Sequence, residues 1–291
     1  MTKHLISRIE SMMPKFSKGQ KLIASYIMDN YDRAAFMTAL KLGETVGVSE
    51  STVVRFATEI GYDGYPKLQR AIQEMTRNRL TSVQRMGVTE SRIGDSDILD
   101  SVLNQDINKI KKTLEEVSHE DFYSAVDSIV RARKIYILAA RSSAPLANFL
   151  GFYFNLIFEN IVVVKATSEA DIYEQLFRIS KEDVIIGISF PRYSKIAVKS
   201  MEFASDRGAS VVVMTDCMAS PMIKPSDYVI LARSDMASIV DSLVAPLSMI
   251  NALIVATALK KKKSLTNTLK ELENLWDQYE IYEKVDDEKF E

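Results

Sequence analysis

Cysteine, histidine and tryptophan are nearly missing: the 291 residues include one Cys, two His and one Trp. The single thiol, Cys217, has no intrachain partner. Disulfide-stapled secreted scaffolds are therefore excluded, and a reducing, cytoplasmic setting is expected. The two histidines, His4 and His119, both fall in segments with helical spacing. They leave no metal-ligand spacing and no Ser-His-Asp set, and no cofactor is expected. With 10 Gly and 7 Pro the chain is neither collagen-like nor low in complexity. The N-terminal Met1-Thr2-Lys3-His4 lacks the apolar run of a signal peptide, and none is expected. No run reaches the roughly 18 apolar residues of a membrane helix. Leu243–Leu259 comes nearest, but Pro246, Ser248, Asn251 and Thr257 interrupt it, so it reads as a buried helix and no membrane partner is expected.

What remains is an ordinary globular composition, 47% apolar and 26% charged, with an uneven charge distribution. Residues 1–85 hold 13 Lys and Arg against 8 Asp and Glu, a net of +5, while the rest nets -7. A basic head on an acidic body suggests that one end meets a polyanion, although solvated helices often carry as much charge.

Helical spacing governs the first 80 residues. Leu5, Ile6 and Ile9 start a segment that stops near Pro14. Ser17 N-caps a second helix with Leu22, Ile23, Tyr26 and Ile27 on its inner face. Helices then cover Thr38–Val46 and Ser49–Ile60, and Gly61–Pro66 breaks the pattern before a basic helix from Lys67 to about Leu80. Residues 81–96 read as a polar connector. Asp97–Val117 reads as an amphipathic helix with Ile98, Val102, Ile107, Ile110 and Leu114 inward, one that links two domains or pairs with its copy in a dimer.

From Lys134 the texture changes to apolar runs at Lys134–Ala139, Ile161–Val164, Asp183–Ser189, Ser210–Thr215 and Tyr228–Leu231. Such runs suit parallel strands covered on both faces. The segments between them suit helices at about Ala144–Phe158, Ala170–Ser180 and Lys195–Arg207, with a closing helix at Ser238–Ala258. The expected fold is an all-α helix-turn-helix domain followed by an α/β domain with a five-stranded, doubly wound parallel sheet. The expected divisions are 1–80 for DNA binding, 81–120 for the linker and connecting helix, 121–262 for the α/β domain, and 263–291 for a helical tail.

Thr38 to Ile60 carries the most specific short-range pattern. Gly47 supplies the positive φ of a tight turn between two helices, and Ala39, Leu42, Val46, Val48, Val53 and Phe56 have the spacing to pack across it. Ser49 is expected to cap the second helix. Glu50, Ser51, Thr52 and Arg55 then stand at the end that enters a major groove, where hydroxyls and Arg reach bases or phosphates. Ser49, Ser51, Thr52 and Arg55 are the candidate groove contacts. Lys41 and Lys67, with Arg70, are candidate phosphate contacts. A plain helical bundle would show the same turn.

The stretch Gly47-Val48-Ser49-Glu50-Ser51-Thr52-Val53-Val54-Arg55-Phe56, with Ile60-Gly61-Tyr62-Asp63-Gly64-Tyr65 after it, resembles the RpiR-type bacterial regulators. The upstream Phe16-Ser17-Lys18-Gly19-Gln20-Lys21-Leu22-Ile23-Ala24 fits the same family, and the likeness runs over roughly residues 5–258. The resemblance implies a helix-turn-helix domain ahead of a SIS (sugar isomerase) phosphosugar-binding domain.

A doubly wound sheet binds ligands beyond the carboxyl ends of its strands. Three such ends here are polar: Arg141-Ser142-Ser143, Ser189-Phe190-Pro191-Arg192-Tyr193-Ser194, and Thr215-Asp216. Hydroxyls beside helix-start N–H groups make an anion site, although a serine alone there is more often only a cap. The SIS resemblance places Ser143, Ser189 and Ser194 at the family's hydroxyl positions. The chain departs from the family where two first-loop glycines become Ala139 and Arg141 and a Ser-Gly pair becomes Pro191-Arg192. Arg141 and Arg192, together with Ser142, Ser143, Ser189 and Ser194, are the candidate effector contacts. Two guanidinium forks suit a strongly anionic ligand. The alternative is that the arginines pair with Glu169 or Asp171.

An isomerase needs a base and a ring-opening acid. Both histidines lie outside the α/β domain, Glu169, Asp171 and Glu174 have the spacing of an exposed helix face, and Asp241 is expected as a pairing partner inside the closing helix. The expectation is a non-enzymatic regulator with three partners: a double-stranded DNA operator, a small anionic sugar-derived effector, and its own copy in a homodimer or homotetramer. A sugar-phosphate isomerase with an accessory helical domain is the alternative.

Overall fold

A computed structural model describes residues 2–76, 81–93, 97–165, 168–234 and 240–283. The chain divides into two units, Met1–Gln105 with Asp235–Ser242, and Asp106–Ser234 with Leu243–Glu291.

The first unit is helical: α1 (Thr2–Met12), α2 (Lys18–Asp29), α3 (Tyr31–Ala34), α4 (Ala39–Val46), α5 (Glu50–Glu59), α6 (Tyr65–Thr76) and α7 (Ser82–Ile93). Its core is built from Ile9, Ile23, Ile27, Leu42, Phe56, Leu68 and Ile72, all fully buried. Ser17 opens α2 with a reciprocal capping box, its backbone N–H donating to Gln20 Oε1 at 2.8 Å. Leu22, expected inward, is exposed on α2. A further correction concerns the connector: residues 82–93 form α7, not an irregular link. A second capping box starts it, with Thr81 N donating to Gln84 Oε1 at 2.9 Å and Gln84 N to Thr81 Oγ1 at 3.2 Å.

A long helix, α8 (Ile98–Glu116), follows, and it reverses an expectation. Ile98, Val102, Ile107, Ile110 and Leu114 point outward and are 40–71% exposed, whereas Lys109 and Thr113 are the buried positions.

The second unit continues with α9 (His119–Arg131), β1 (Ile135–Ala139), α10 (Ala144–Ile157), β2 (Ile161–Val163), α11 (Glu169–Leu176), β3 (Val184–Ile188), α12 (Lys195–Asp206), β4 (Ser210–Thr215), β5 (Tyr228–Leu231), α13 (Val244–Lys260) and α14 (Lys262–Gln278). All strand pairs are parallel, in the order β2-β1-β3-β4-β5, with Ile137 registered to Val163 on one side and Ile186 on the other. Alternate residues feed two cores. Ile135, Ile137, Ile186, Val212 and Met214 pack with α9, α10 and α13, while Tyr136, Leu138, Ile185, Val211 and Val213 pack with α11 and α12. The expected fold class is the observed one.

The closing helix starts at Val244, not Ser238. Residues 240–243 are not helical, and 235–239 lie outside the described residues. Asp241 therefore precedes α13. Within the first unit it accepts from Arg85 Nη1 of α7 at 2.8 Å, and the Arg85 side chain is only 7% exposed. No single helix among the described residues is long and apolar enough to cross a membrane.

Gly151 of α10 lies hard against Val163 of β2, so a Cβ there would collide with a β-branched side chain that is stiff at χ1. Gly151→Ala is expected to lower the unfolding free energy by about 1–3 kcal/mol. Chemical denaturation checks this, and adding Val163→Ala should recover part of the loss.

Candidate functional site

The two helices of the N-terminal motif meet because the backbone between them is glycine where it must be. Gly47 ends α4 at φ 75°, ψ 37°, in the left-handed region. Val48 N donates to Gly43 O at 2.9 Å, and a Cβ on Gly43 would stand 2.7 Å from Val48 O. The sequence reading singled out Gly47 and missed Gly43. The signal was available, since a glycine one turn before the tight turn marks close backbone approach.

Thr38 caps α4, accepting from Lys41 N at 3.1 Å. Ser49 sits at the N-cap position of α5 with extended backbone but accepts no backbone N–H, contrary to expectation. Its Oγ lies 2.9 Å from Ser51 Oγ and 2.8 Å from Thr52 Oγ1. The hydroxyls bond one another along the outer end of α5, so three donors gather there and at least one backbone N–H of the first turn is left for an outside acceptor. Arg55 Nε donates to Ser51 O at 3.2 Å, which lays its side chain beside this cluster. Lys41 and Lys67 are exposed and hold Glu44 at 3.6 Å and Asp63 at 3.0 Å. Exposed pairs of this kind contribute about 0–1 kcal/mol and yield readily to a phosphate. Val54 and Thr58 share the exposed face with Ser51 and Arg55 and were not singled out from sequence, although their i+3 and i+7 spacing from Ser51 marks them.

At the other end of the chain, the strand order reverses between β1 and β3. α10, after β1, covers one face of the sheet, and α12, after β3, covers the other. Open α/β sheets bind their ligands at such a switch point, beyond the carboxyl ends of the strands. Arg141 leaves β1 and Arg192 lies in the loop after β3, and both are exposed. Arg141 has φ 57°, a conformation that costs little for glycine and is strained for other residues. Among the described residues neither arginine forms an ion pair. Glu169, one of their expected alternatives, is held instead by Lys199 at 2.8 Å.

Ser143 and Ser194 stand at the N-cap positions of α10 and α12, yet neither accepts a backbone N–H of its helix. Ser142 is exposed, and Ser143 and Ser189 are buried. Ser194 N donates to Ser189 Oγ at 3.4 Å. Behind them lies a buried network that fastens the loops together. The Thr215 hydroxyl is 2.9 Å from Ser189 O and 2.8 Å from Ser220 Oγ, and Tyr193 OH donates to Asp216 Oδ1 at 2.7 Å. Burial, and then the negative charge of Asp216, pushes the Tyr193 phenol well above the usual tyrosine range, so it stays protonated and donates. Cys217 Sγ lies 3.7 Å from the same hydroxyl. Tyr193 and Ser220 were not predicted as contributors, because their role depends on tertiary placement.

Two family models match in this same order. The helix-turn-helix domain of the rpiR family matches residues 3–79, and the SIS domain matches residues 128–256. The chain belongs to the RpiR-type regulators. An HTH-type transcriptional regulator of Clostridium perfringens is 22% identical over 77% of this chain and 80% of its own. The sugar isomerase domain of an RpiR transcription factor from Sphaerobacter thermophilus superimposes with TM-score 0.57 at 26% identity, covering 61% of this chain and 98% of that one. The Vibrio vulnificus NanR protein, complexed with ManNAc-6P, shares the fold over 95% of this chain and 99% of its own, with TM-score 0.57 at 20% identity. This RpiR-type chain is thus a helix-turn-helix transcriptional regulator with a SIS domain.

Two stability predictions follow from these local geometries. Ser49→Ala should cost well under the ~1 kcal/mol of a lost helix cap, whereas Thr38→Ala should cost about that amount. Equal losses in chemical denaturation would contradict the assignment of the two hydroxyls. Arg141→Gly should raise the unfolding free energy by about 0.5–1 kcal/mol by relieving the left-handed backbone, and a loss of stability would show that φ is not strained there.

Proposed function

We propose that this regulator binds an operator in double-stranded DNA as a homodimer or homotetramer, and that its SIS domain senses a small anionic sugar-derived effector, a phosphosugar or a sugar acid. In this reading Ser49, Ser51, Thr52 and Arg55 approach base edges and phosphates in the major groove, and Lys41 and Lys67 hold the flanking backbone. The observation that carries the effector assignment is the pair of exposed arginines just past the carboxyl ends of β1 and β3, where the strand order reverses, one of them kept in a glycine-type conformation. Arg141 and Arg192 supply fixed charge and forked donors. Ser142, Ser143, Ser189 and Ser194 supply hydroxyls, and the loop ahead of α12 supplies backbone N–H groups. The phosphosugar in the NanR complex is in keeping with a ligand of this class.

Binding without turnover fits the groups present. The buried carboxylate of Asp216 is engaged by Tyr193, and His119 sits on the exposed first turn of α9. The effector acts by binding one of two arrangements of the regulator more tightly, which shifts its operator affinity.

The test is operator binding by fluorescence anisotropy, using DNA from upstream of the protein's own gene, at several salt concentrations, with a panel of phosphosugars and sugar acids. Specific binding that weakens steeply with salt and that one anionic class alters is expected. The Arg141→Gly, Arg192→Gly double variant should bind the effector-free operator normally and lose the response at least tenfold. No specific binding at low salt sinks the operator reading, and an unchanged response in the double variant removes the arginines from the site.

A further inference from the structure

Helix α8 leaves bare an apolar strip that a soluble helix normally hides. Leu99, Leu103, Ile107, Ile110 and Leu114 are each at least 40% exposed. At 3.6 residues per turn they fall within a band roughly 80° wide. The face that bears Lys109 and Thr113 is already packed, with Thr113 Oγ1 accepting from Arg233 N at 2.9 Å. Toward its C-terminal end the helix therefore has one face covered, while the apolar strip stays open along the whole length, which marks an interaction surface.

We propose that this strip pairs with the same strip of a second copy, the two α8 helices running antiparallel about a two-fold axis that passes beside Ile107. The proposal deepens the homodimer of the reading above by naming its surface. Two observations select this occupant and this direction. The strip is close to palindromic: turned end for end, Leu99 falls opposite Leu114 and Leu103 opposite Ile110, as an isologous contact requires. The flank beside it carries exposed Asp100 near one end and exposed Lys111 near the other. Antiparallel helices join like flanks, so Asp100 of each copy meets Lys111 of the other, and the pair forms twice. A parallel pair would bring Lys111 to the opposite flank, where Asp106 is already held by Lys109 at 3.0 Å.

Disulfide mapping in full-length protein tests this, with the lone Cys217 replaced by Ser. Under mild oxidation Ile107→Cys should link to itself, giving a species of twice 32.8 kDa that reductant abolishes. Leu99→Cys and Leu114→Cys should each fail to link alone and should link when the two variants are co-produced. Self-linking of Leu99→Cys as efficient as that of Ile107→Cys overturns the antiparallel arrangement. Absence of any link at Ile107 overturns the interface. As an independent check, Ile107→Asp should raise the self-association constant for dissociation at least tenfold in sedimentation, and an unchanged constant also overturns it. Operator binding is read separately, so a chain that links at Ile107 but binds no operator upholds this interface while the DNA reading fails.

Discussion

β1, β3 and β4 are covered on both faces, and this constraint arranges the rest of the second unit. Their side chains must be apolar almost throughout, because an unpaired polar group in either core would cost more than a hydrogen bond returns. Polar chemistry is displaced past the carboxyl ends, where the chain turns toward a helix on one face or the other. The reversal of strand order between β1 and β3 sends those turns toward opposite faces, with Arg141 and Arg192 exposed in the two turns. The buried bonds among Thr215, Ser189, Ser220, Asp216 and Tyr193 then tie the loop after β3, which carries Arg192, to the loop after β4.

The N-terminal motif answers a comparable constraint with backbone instead of side chains. α4 and α5 approach so closely that Gly43 has no room for a Cβ, and Gly47 turns the chain through the left-handed region. That approach puts the start of α5 at the surface, with Ser49, Ser51 and Thr52 bonded to one another and Arg55 beside them. Both candidate sites thus depend on loops fixed from below and left open above.

Much of this was legible in sequence. The five strands were found within a residue of their ends, because continuous β-branched runs between polar turns have few other uses. The helix-turn-helix was readable from the spacing around Gly47. Other features were not. The polar texture around Gly87 concealed α7, although the Thr81-x-x-Gln84 capping box announced it. Amphipathic spacing says which residues of α8 share a face and not what covers that face, so the spacing alone reads its apolar face as inward. The same spacing cannot tell whether the Ser49 hydroxyl turns to the backbone or to its neighbours. Arg141 was visible as a departure from a glycine pattern, but its φ of 57° was not. The Tyr193–Asp216 bond joins two loops through folding alone.

The proposed regulation requires that a ligand at the carboxyl ends of β1 and β3 and an operator on α5 be coupled through the protein. Linkage requires that coupling to be reciprocal. The most direct measurement is calorimetric titration of the active sugar derivative into the free protein and into the operator-bound protein. Effector affinity is expected to change between the two by the same factor, and in the same direction, as operator affinity changes when effector is added. Equal effector affinity in both states, beside an effector-dependent operator affinity, would contradict it.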